Sequence, residues 1–285
     1  MKDQVHISRK EFLKKGFRWL GGSAVTASAA AYGYSRWIEP HRLEITEHLL
    51  SYPGLPLTLV GKRIVQFSDV HLDHHFGISR FQALAQSIMK LRPDMICFTG
   101  DLYHVDAQPT SSACSGILHS LEAPLGKWAV LGNHDYVTSS SDVTRTLTEG
   151  GFTVLDNRSH TLDYRECSLR VAGVDDAMRG NPDLQLALGG PGSADFTLLL
   201  AHEPDLADQA SAFSVDLQLS GHSHGGQVKL PWIGAVVLPE MARKYSEGLY
   251  KIRDGMYLYT NRGVGVSAHP VRFLCRPELT VLTLG

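Results

Sequence analysis

Five short polar stretches, each placed directly after an apolar run, constrain this chain more than any other feature of it. They are Asp69-Val70-His71, Gly100-Asp101, Gly132-Asn133-His134-Asp135, His202 within Ala201-His202-Glu203-Pro204, and Gly221-His222-Ser223-His224. The runs that precede them (Arg63–Phe67, Met95–Thr99, Trp128–Leu131, Phe196–Ala201 and Leu217–Ser220) are short and apolar, and read as strands. Carboxylate, amide and imidazole groups delivered from strand ends are the donors that two adjacent divalent cations require. Any one stretch alone is as well explained by a turn residue or a satisfied core histidine.

The rest of the chain follows an ordered alternation. Helices are predicted at Ser79–Leu91, capped by Ser79 and with Phe81, Leu84, Ile88 and Leu91 on one face, around Ser112–Leu121, and at Ser141–Glu149. From Thr153 the pattern turns to short strands: Thr153–Leu155, a hairpin of Thr161–Tyr164 with Leu169–Val174, and later Met256–Thr260 and Leu279–Leu284. Alternating βα units followed by antiparallel strands predict an α/β sandwich of mixed sheets. The division expected is a signal-like or tethering segment at 1–36, a connector at 37–61 containing the amphipathic piece Leu43, Ile45, Leu49 and Leu50, and one catalytic domain at 62–285.

Charge is distributed unevenly. Residues 1–36 hold seven Lys/Arg against two acids, leaving 20 basic and 27 acidic residues in the body. An acidic body without a basic footprint argues against nucleic acid as partner. The four cysteines, Cys97, Cys114, Cys167 and Cys275, form no paired motif and read as free packing thiols.

The N-terminal Ser8-Arg9-Lys10-Glu11-Phe12-Leu13-Lys14 resembles a twin-arginine export signal with Lys10 in place of the second arginine. The uncharged stretch from Trp19 to Ser35 that follows would span about 26 Å as a helix, marginal for a bilayer. Ala27-Ser28-Ala29 supplies a small-residue cleavage pattern. Export to the periplasm or cell envelope, with the export machinery as partner, or tethering to the inner membrane is the expectation.

Taken together and in order, the five stretches resemble the calcineurin-like metallophosphoesterases, from about Lys62 to the C-terminus. The resemblance implies two mixed β-sheets packed together and flanked by helices. It implies Asp69, His71 and His224 on a first metal, Asp101 bridging, and Asn133, His202 and His222 on a second. Two divalent cations against two carboxylates leave the site net positive, so an acidic protein can still attract a phosphate. Mn²⁺ comes first among the candidates, with Fe²⁺ or Zn²⁺ as alternatives. An Fe(III)–tyrosinate centre is disfavoured because His104, not Tyr103, stands three residues after Asp101. Residues i and i+2 of an extended chain share a face, which would bring Asp69 with His71 and His222 with His224. His134 is expected to protonate the leaving alkoxide or steady the phosphoryl group, held in its charged form by donating a hydrogen bond to Asp135.

Gly221-His222-Ser223-His224-Gly225-Gly226-Gln227 and Thr260-Asn261-Arg262-Gly263-Val264-Gly265 resemble a bacterial branch of that superfamily. It includes twin-arginine-exported phosphodiesterase-like proteins and UDP-2,3-diacylglucosamine pyrophosphatases of lipid A synthesis. The implied activity is hydrolysis of phosphodiesters or phosphomonoesters by attack of a metal-bound hydroxide. The alternatives are a pyrophosphatase taking a lipid pyrophosphate at the membrane, and a non-catalytic metal-binding scaffold. Arg262 is the candidate substrate-binding residue, with pairing to an acidic side chain as its alternative. The apolar run Leu230–Leu238 reads as a buried strand, or else as a lipid-facing entrance shaped by Trp232 and Ile233. The Gly189–Gly192 loop, whose last two residues lie outside those the structure describes, and the Asp175–Arg179 segment before it are candidate caps over the site.

Overall fold

The apolar strands are buried on both faces, and two sheets are needed to accomplish it. The computed structural model describes residues 9–73, 75–104, 111–190 and 194–285. Along the chain come β1 (Glu44–Leu50), β2 (Arg63–Phe67), β3 (Met95–Thr99), β4 (Lys127–Val130), β5 (Thr153–Val154), β6 (Arg158–Tyr164), β7 (Cys167–Gly173), β8 (Phe196–Leu200) and β9 (Leu217–Ser220). A short ribbon, β10 (Lys229–Leu230) with β11 (Gly234–Ala235), precedes β12 (Gly248–Arg253), β13 (Met256–Thr260) and β14 (Glu278–Leu284). One six-stranded sheet has the order β1-β14-β2-β3-β4-β5, the other β12-β13-β9-β8-β7-β6. In the first, β2, β3, β4 and β5 run parallel while β14 opposes β2. In the second, β7, β8, β9 and β13 run parallel while β6 and β12 oppose their neighbours. Both sheets are therefore mixed, although after Thr153, where antiparallel strands were expected, only the β6–β7 and β12–β13 pairs of the second sheet are antiparallel.

Alternation along each strand feeds separate cores. Met95 and Cys97 of β3 meet Leu169, Val171, Leu198 and Leu217 between the sheets. Ile96 and Phe98 point the other way, onto α2 (Ile78–Lys90), α3 (Ser111–His119) and α5 (Ser140–Glu149) through Phe81, Leu118 and Leu147. Behind the second sheet, Leu199 and Leu258 pack on α6 (Leu184–Leu188) and α7 (Ala207–Ala210). The result is a helix–sheet–sheet–helix stack. All four cysteines are buried free thiols.

The differences from expectation are instructive. Helix α2 starts at Ile78 with Gly77 as its cap and no side-chain hydrogen bond, so Ser79 lies inside its first turn. The segment 37–61 contributes β1, paired in parallel along its whole length with β14. Its alternation is inverted: Ile45 and Leu49 face solvent, while Thr46 turns inward to donate to Glu278 Oε1 at 2.7 Å. A strand whose inner face is polar carries no apolar period-two signal, which is why it reads as a connector. The short helix α4 (Asn133–Thr138) and strand β12 likewise give no sequence signal.

The N-terminal segment is one helix, α1 (Arg9–Trp37). Among the described residues no helix is long and apolar enough to cross a membrane. The end of α1 is tied to the body: Ser35 O accepts from Arg272 N at 2.9 Å, and Tyr34 packs edge-on against Phe273. Buried Glu39 then accepts from Cys275 N. A chain beginning at Ala30 keeps these ties, and its Tm should lie within ~2 °C of the full chain. One beginning at Leu43 loses them and should melt ~5 °C or more lower. Scanning calorimetry of both truncations checks this.

Candidate metal centre

The donors converge because five parallel strands end at the same edge. Hydrogen bonds run on past β2 and β3: Asp69 N donates to Gly100 O at 2.9 Å and His71 N to Asp101 O at 3.1 Å. In the second sheet Gly221 N reaches back to His202 O at 3.0 Å. Gln66 joins the two sheets, its Nε2 donating to Ser220 O at 2.9 Å.

The convergence does not arise from strand alternation, however. Asp69 (φ 52°), His71 (φ 47°), Asp101 (φ 62°), His222 (φ 66°) and His224 (φ 49°) all occupy the left-handed region. Each such residue costs roughly 1–3 kcal/mol, held in place by the surrounding structure. Asp69 and His71 do share a side, but through strained turns beyond the strands, whereas His222 and His224 part, His224 toward His71 and His222 toward His202.

Asp101 occupies the middle. Its Oδ2 lies 3.5 Å from His71 Nε2 and 3.4 Å from His202 Nε2, while Oδ1 accepts from His134 N at 2.9 Å. On one side, His71 Nε2 and His224 Nε2 stand 3.0 Å apart and Asp69 Oδ1 is 3.3 Å from the latter. On the other, His202 and His222 have ring centroids 4.9 Å apart. Among the described residues four sets of possible ligand atoms each fall within 4.8 Å of one another: Asp69–His71–His224, Asp69–Asp101–His202, His202–Glu203–His222 and His71–His104–His134.

Neighbouring carbonyls fix which ring nitrogen points inward. His202 Nδ1–H donates to Thr99 O at 2.6 Å, and His222 Nε2–H donates to Glu240 O at 2.9 Å. In the neutral rings that leaves Nε2 of His202 and Nδ1 of His222 as the lone-pair nitrogens. His202 Nε2 and Asn133 Oδ1 are buried with no hydrogen-bond partner. Unpaired buried acceptors are costly, and convergent ones fit a cation. The residues present therefore fit divalent metal.

Burial governs the titration. It lowers His71 to about 3 and His222 to about 4, and pushes His224 well below its ordinary range. It raises Asp69 to about 7, with Asp101 adding to the effect. His202 differs: burial opposes its charge, but Asp101, then Asp69 and Glu203, outweigh it and raise the imidazole well above the usual value. Asp101 is held well below the carboxylate range against burial, chiefly by His202. Mostly neutral imidazoles around one ionised carboxylate present lone pairs rather than protons.

Two expectations need correction. Asp135 makes no hydrogen bond to His134: its Oδ2 accepts from Gly132 N and Asp101 N, both at 2.9 Å, and its Oδ1 from Leu102 N at 2.8 Å. It pins two donor loops together, so it is a positioning residue. Burial accordingly lowers the His134 pKa instead of Asp135 raising it. Arg262 does not line the cavity. Its Nε lies 3.1 Å from Glu278 Oε2 and its Nη2 2.8 Å from Glu44 Oε2, so the acid-pairing alternative holds.

Residues without a motif also shape the site. Arg272, fully buried, donates through Nη2 to the carbonyls of Arg262, Gly263 and Gly265 and sits 3.5 Å from His224 Nδ1. It is the post behind the last donor loop, and nothing in Pro270-Val271-Arg272-Phe273 announces it. His104 stacks on His134, with centroids 6.0 Å apart, and its offset from Asp101 was the available signal. The donors open into a cavity of about 640 Å³ whose floor includes Asp101, Asn133 and His134 and whose wall includes Val228, Val236 and Val237. Met178, from the segment expected to cap the site, also lines it.

Known proteins are similar to this chain in sequence. Residues 62–226 match the family described as calcineurin-like phosphoesterase, and the chain belongs to that family of divalent-metal hydrolases of phosphoric esters. Over 281 residues, 98% of each chain, it is 41% identical to the uncharacterized metallophosphoesterase YkuE of Bacillus subtilis (strain 168). It is 29% identical over 282 residues to the phosphodiesterase YaeI of Escherichia coli (strain K12), covering 98% of this chain and 99% of that one. Similarity at 27% over 314 residues, 90% of this chain and 94% of the other, extends to the UDP-2,3-diacylglucosamine pyrophosphatase LpxG of Chlamydia muridarum.

Gly132 tests the assembly. A Cβ there would overlap Asp101 Oδ1 and lie 2.6 Å from His202 Cε1. Gly132→Ala should weaken Mn²⁺ binding at least ~10-fold by calorimetric titration, since ligands tolerate displacements of only about 0.2 Å. Arg262→Ala should instead cost ~2–3 kcal/mol of stability in urea unfolding, by stranding Glu278, and leave KM for a small phosphoester within about twofold.

Proposed function

We propose that this chain is a dinuclear metal-dependent phosphohydrolase cleaving phosphodiester or phosphomonoester bonds. The observation that supports it most is Asp101 Oδ2 lying between His71 Nε2 and His202 Nε2, at 3.5 and 3.4 Å, with further donors on each side. Asp69, His71 and His224 would hold one cation, Asn133, His202 and His222 the other, and Asp101 both. Bound there, the pair would polarise phosphoryl oxygens and acidify a water. The oxygen, amide and imidazole set suits Mn²⁺, Fe²⁺ or Zn²⁺.

The chain's own residues supply position and a proton. Asp101 Oδ1 anchors the His134 backbone, which sets that imidazole on the cavity wall beside Asn133. From there it can donate to the departing alkoxide or steady the transferring group. Asp135 holds the Gly132 and Asp101 loops in register, so that distance is built in before substrate arrives. The two carbonyls that receive protons from His202 and His222 keep those imidazoles in one tautomer.

The LpxG similarity and the valine wall of the cavity favour one narrower reading, a phosphoester or lipid pyrophosphate with an apolar substituent. Export through the N-terminal segment, or its retention as a membrane tether, is the compartment we infer from Ser8–Lys14 and the uncharged stretch after it.

The decisive experiment is hydrolysis of an aryl phosphodiester and its monoester, metal-free and with Mn²⁺. Asn133→Ala should abolish turnover together with one metal equivalent. His134→Asn should keep both metals by elemental analysis while kcat falls ~10²–10⁴-fold. Full activity in His134→Asn would remove the role given to that residue, and absence of metal binding in the parent protein would remove the proposal.

A further inference from the structure

The run Leu230–Leu238 is not a buried strand. It rises from the last donor loop as the β10–β11 ribbon, with Leu230 paired to Gly234 and Lys229 to Ala235. Pro231, Trp232 and Ile233 form its tip. Trp232 is fully exposed at 103%, Ile233 and Val237 are more than 70% exposed, and Val236 and Leu230 remain substantially open. A contiguous apolar tip of this kind marks an interaction surface. Trp232 also sits at φ 64°, in the left-handed region that a bulky side chain enters only at a cost. A side chain both strained and exposed lowers the stability of the free protein, so its gain must come from a partner.

Two observations say which partner. First, the base of the ribbon is the docking point of α1. Lys229 N donates to Phe273 O at 2.9 Å, and the Phe273 ring packs on Tyr34 of the helix, centroids 6.4 Å apart. Helix α1 adds exposed Val25, Tyr32 and Trp37, and its far end carries exposed Arg9, Lys10 and Lys14. Cations on such a helix attract anionic headgroups. Second, the tip has the composition of an interfacial anchor: one tryptophan ringed by aliphatic side chains, without a charge of its own from Leu230 to Leu238.

We infer that the β10–β11 ribbon docks on an anionic lipid bilayer, its Trp232–Ile233 tip entering the headgroup boundary beside α1. The ribbon has a second face. Val228, Val236 and Val237 form a wall of the cavity that ends at Asn133 and His134. Docking therefore brings the apolar wall of the cavity to the lipid surface, and a phosphoester carrying an acyl chain can reach the site without passing through water. That consequence rests on the phosphohydrolase reading; the docking itself does not.

Flotation of the full chain with vesicles of phosphatidylcholine and phosphatidylglycerol tests it. The parent protein should float with the vesicles. Trp232→Asn/Ile233→Asn should reduce partitioning at least ~10-fold, because both side chains lose their buried area and asparagine tolerates the left-handed backbone. Trp232→Tyr, which keeps an interfacial ring, should stay within about threefold. Unchanged melting and unchanged hydrolysis of a soluble aryl phosphodiester would show the variants are folded. A double variant that floats like the parent, or a parent that does not float at all, overturns the inference. Should the parent float as expected yet hydrolyse no phosphoester, the phosphohydrolase reading fails and the docking stands.

Discussion

Everything at the active edge of this molecule is arranged around the carboxylate of Asp101. One oxygen holds the backbone of the loop that carries Asn133 and His134, and the other stands between the imidazoles of His71 and His202. A buried carboxylate is expensive unless its charge is answered from several sides. Here the answer comes from a backbone amide and from two imidazoles on different sheets. Moving Asp101 would therefore disturb donors from both halves of the sandwich at once.

The cost of that arrangement is spread over the chain. Five donor residues sit in left-handed backbone, unpaired acceptors are buried with them, and two imidazole nitrogens face each other at 3.0 Å. A metal-free site of this kind is destabilising, and the rigid two-sheet core is what maintains it. Asp135 and Arg272 are the fixtures: one collects three amide protons from the first sheet's loops, the other caps carbonyls of the last loops. Neither fixture lines the cavity, yet both hold the loops that carry the candidate donors. In the calcineurin-like phosphoesterase family to which the chain belongs, divalent cations would satisfy the unpaired acceptors and the facing ring nitrogens, while the left-handed backbone is held by the packed core.

How much of this was legible depends on whether the residue's work is local. The strands β3, β9 and β13 were legible because they are apolar and covered on both faces. The donors were legible because metal chemistry admits few residue types, and these follow strands at fixed offsets. Asp135 was visible as a residue but misread in partner, and for Arg262 the sequence left phosphate and acid pairing open. The groups that settle them, Asp101 and Leu102 for one and Glu44 and Glu278 for the other, lie far away in sequence. Strand β1 was missed because its inward face is polar and satisfied by Glu278. The ribbon was misread as core because its composition is that of a strand, while its exposure is fixed only by where the last donor loop leaves the body.

The sequence by itself determined the class of site: Asp69, His71, Asp101, Asn133, His202, His222 and His224 have few other uses in that order, because cation coordination restricts donors more tightly than packing restricts apolar residues. It also determined the βα alternation, since period and turn chemistry act within a few residues. Only the tertiary structure decided that the donors meet through left-handed turns, that Arg262 faces Glu278 and Glu44 rather than the cavity, and that an apolar ribbon stands in the open beside α1. Those outcomes depend on contacts between segments far apart in the chain, where charge, burial and strain are settled by the packed whole rather than by any local pattern.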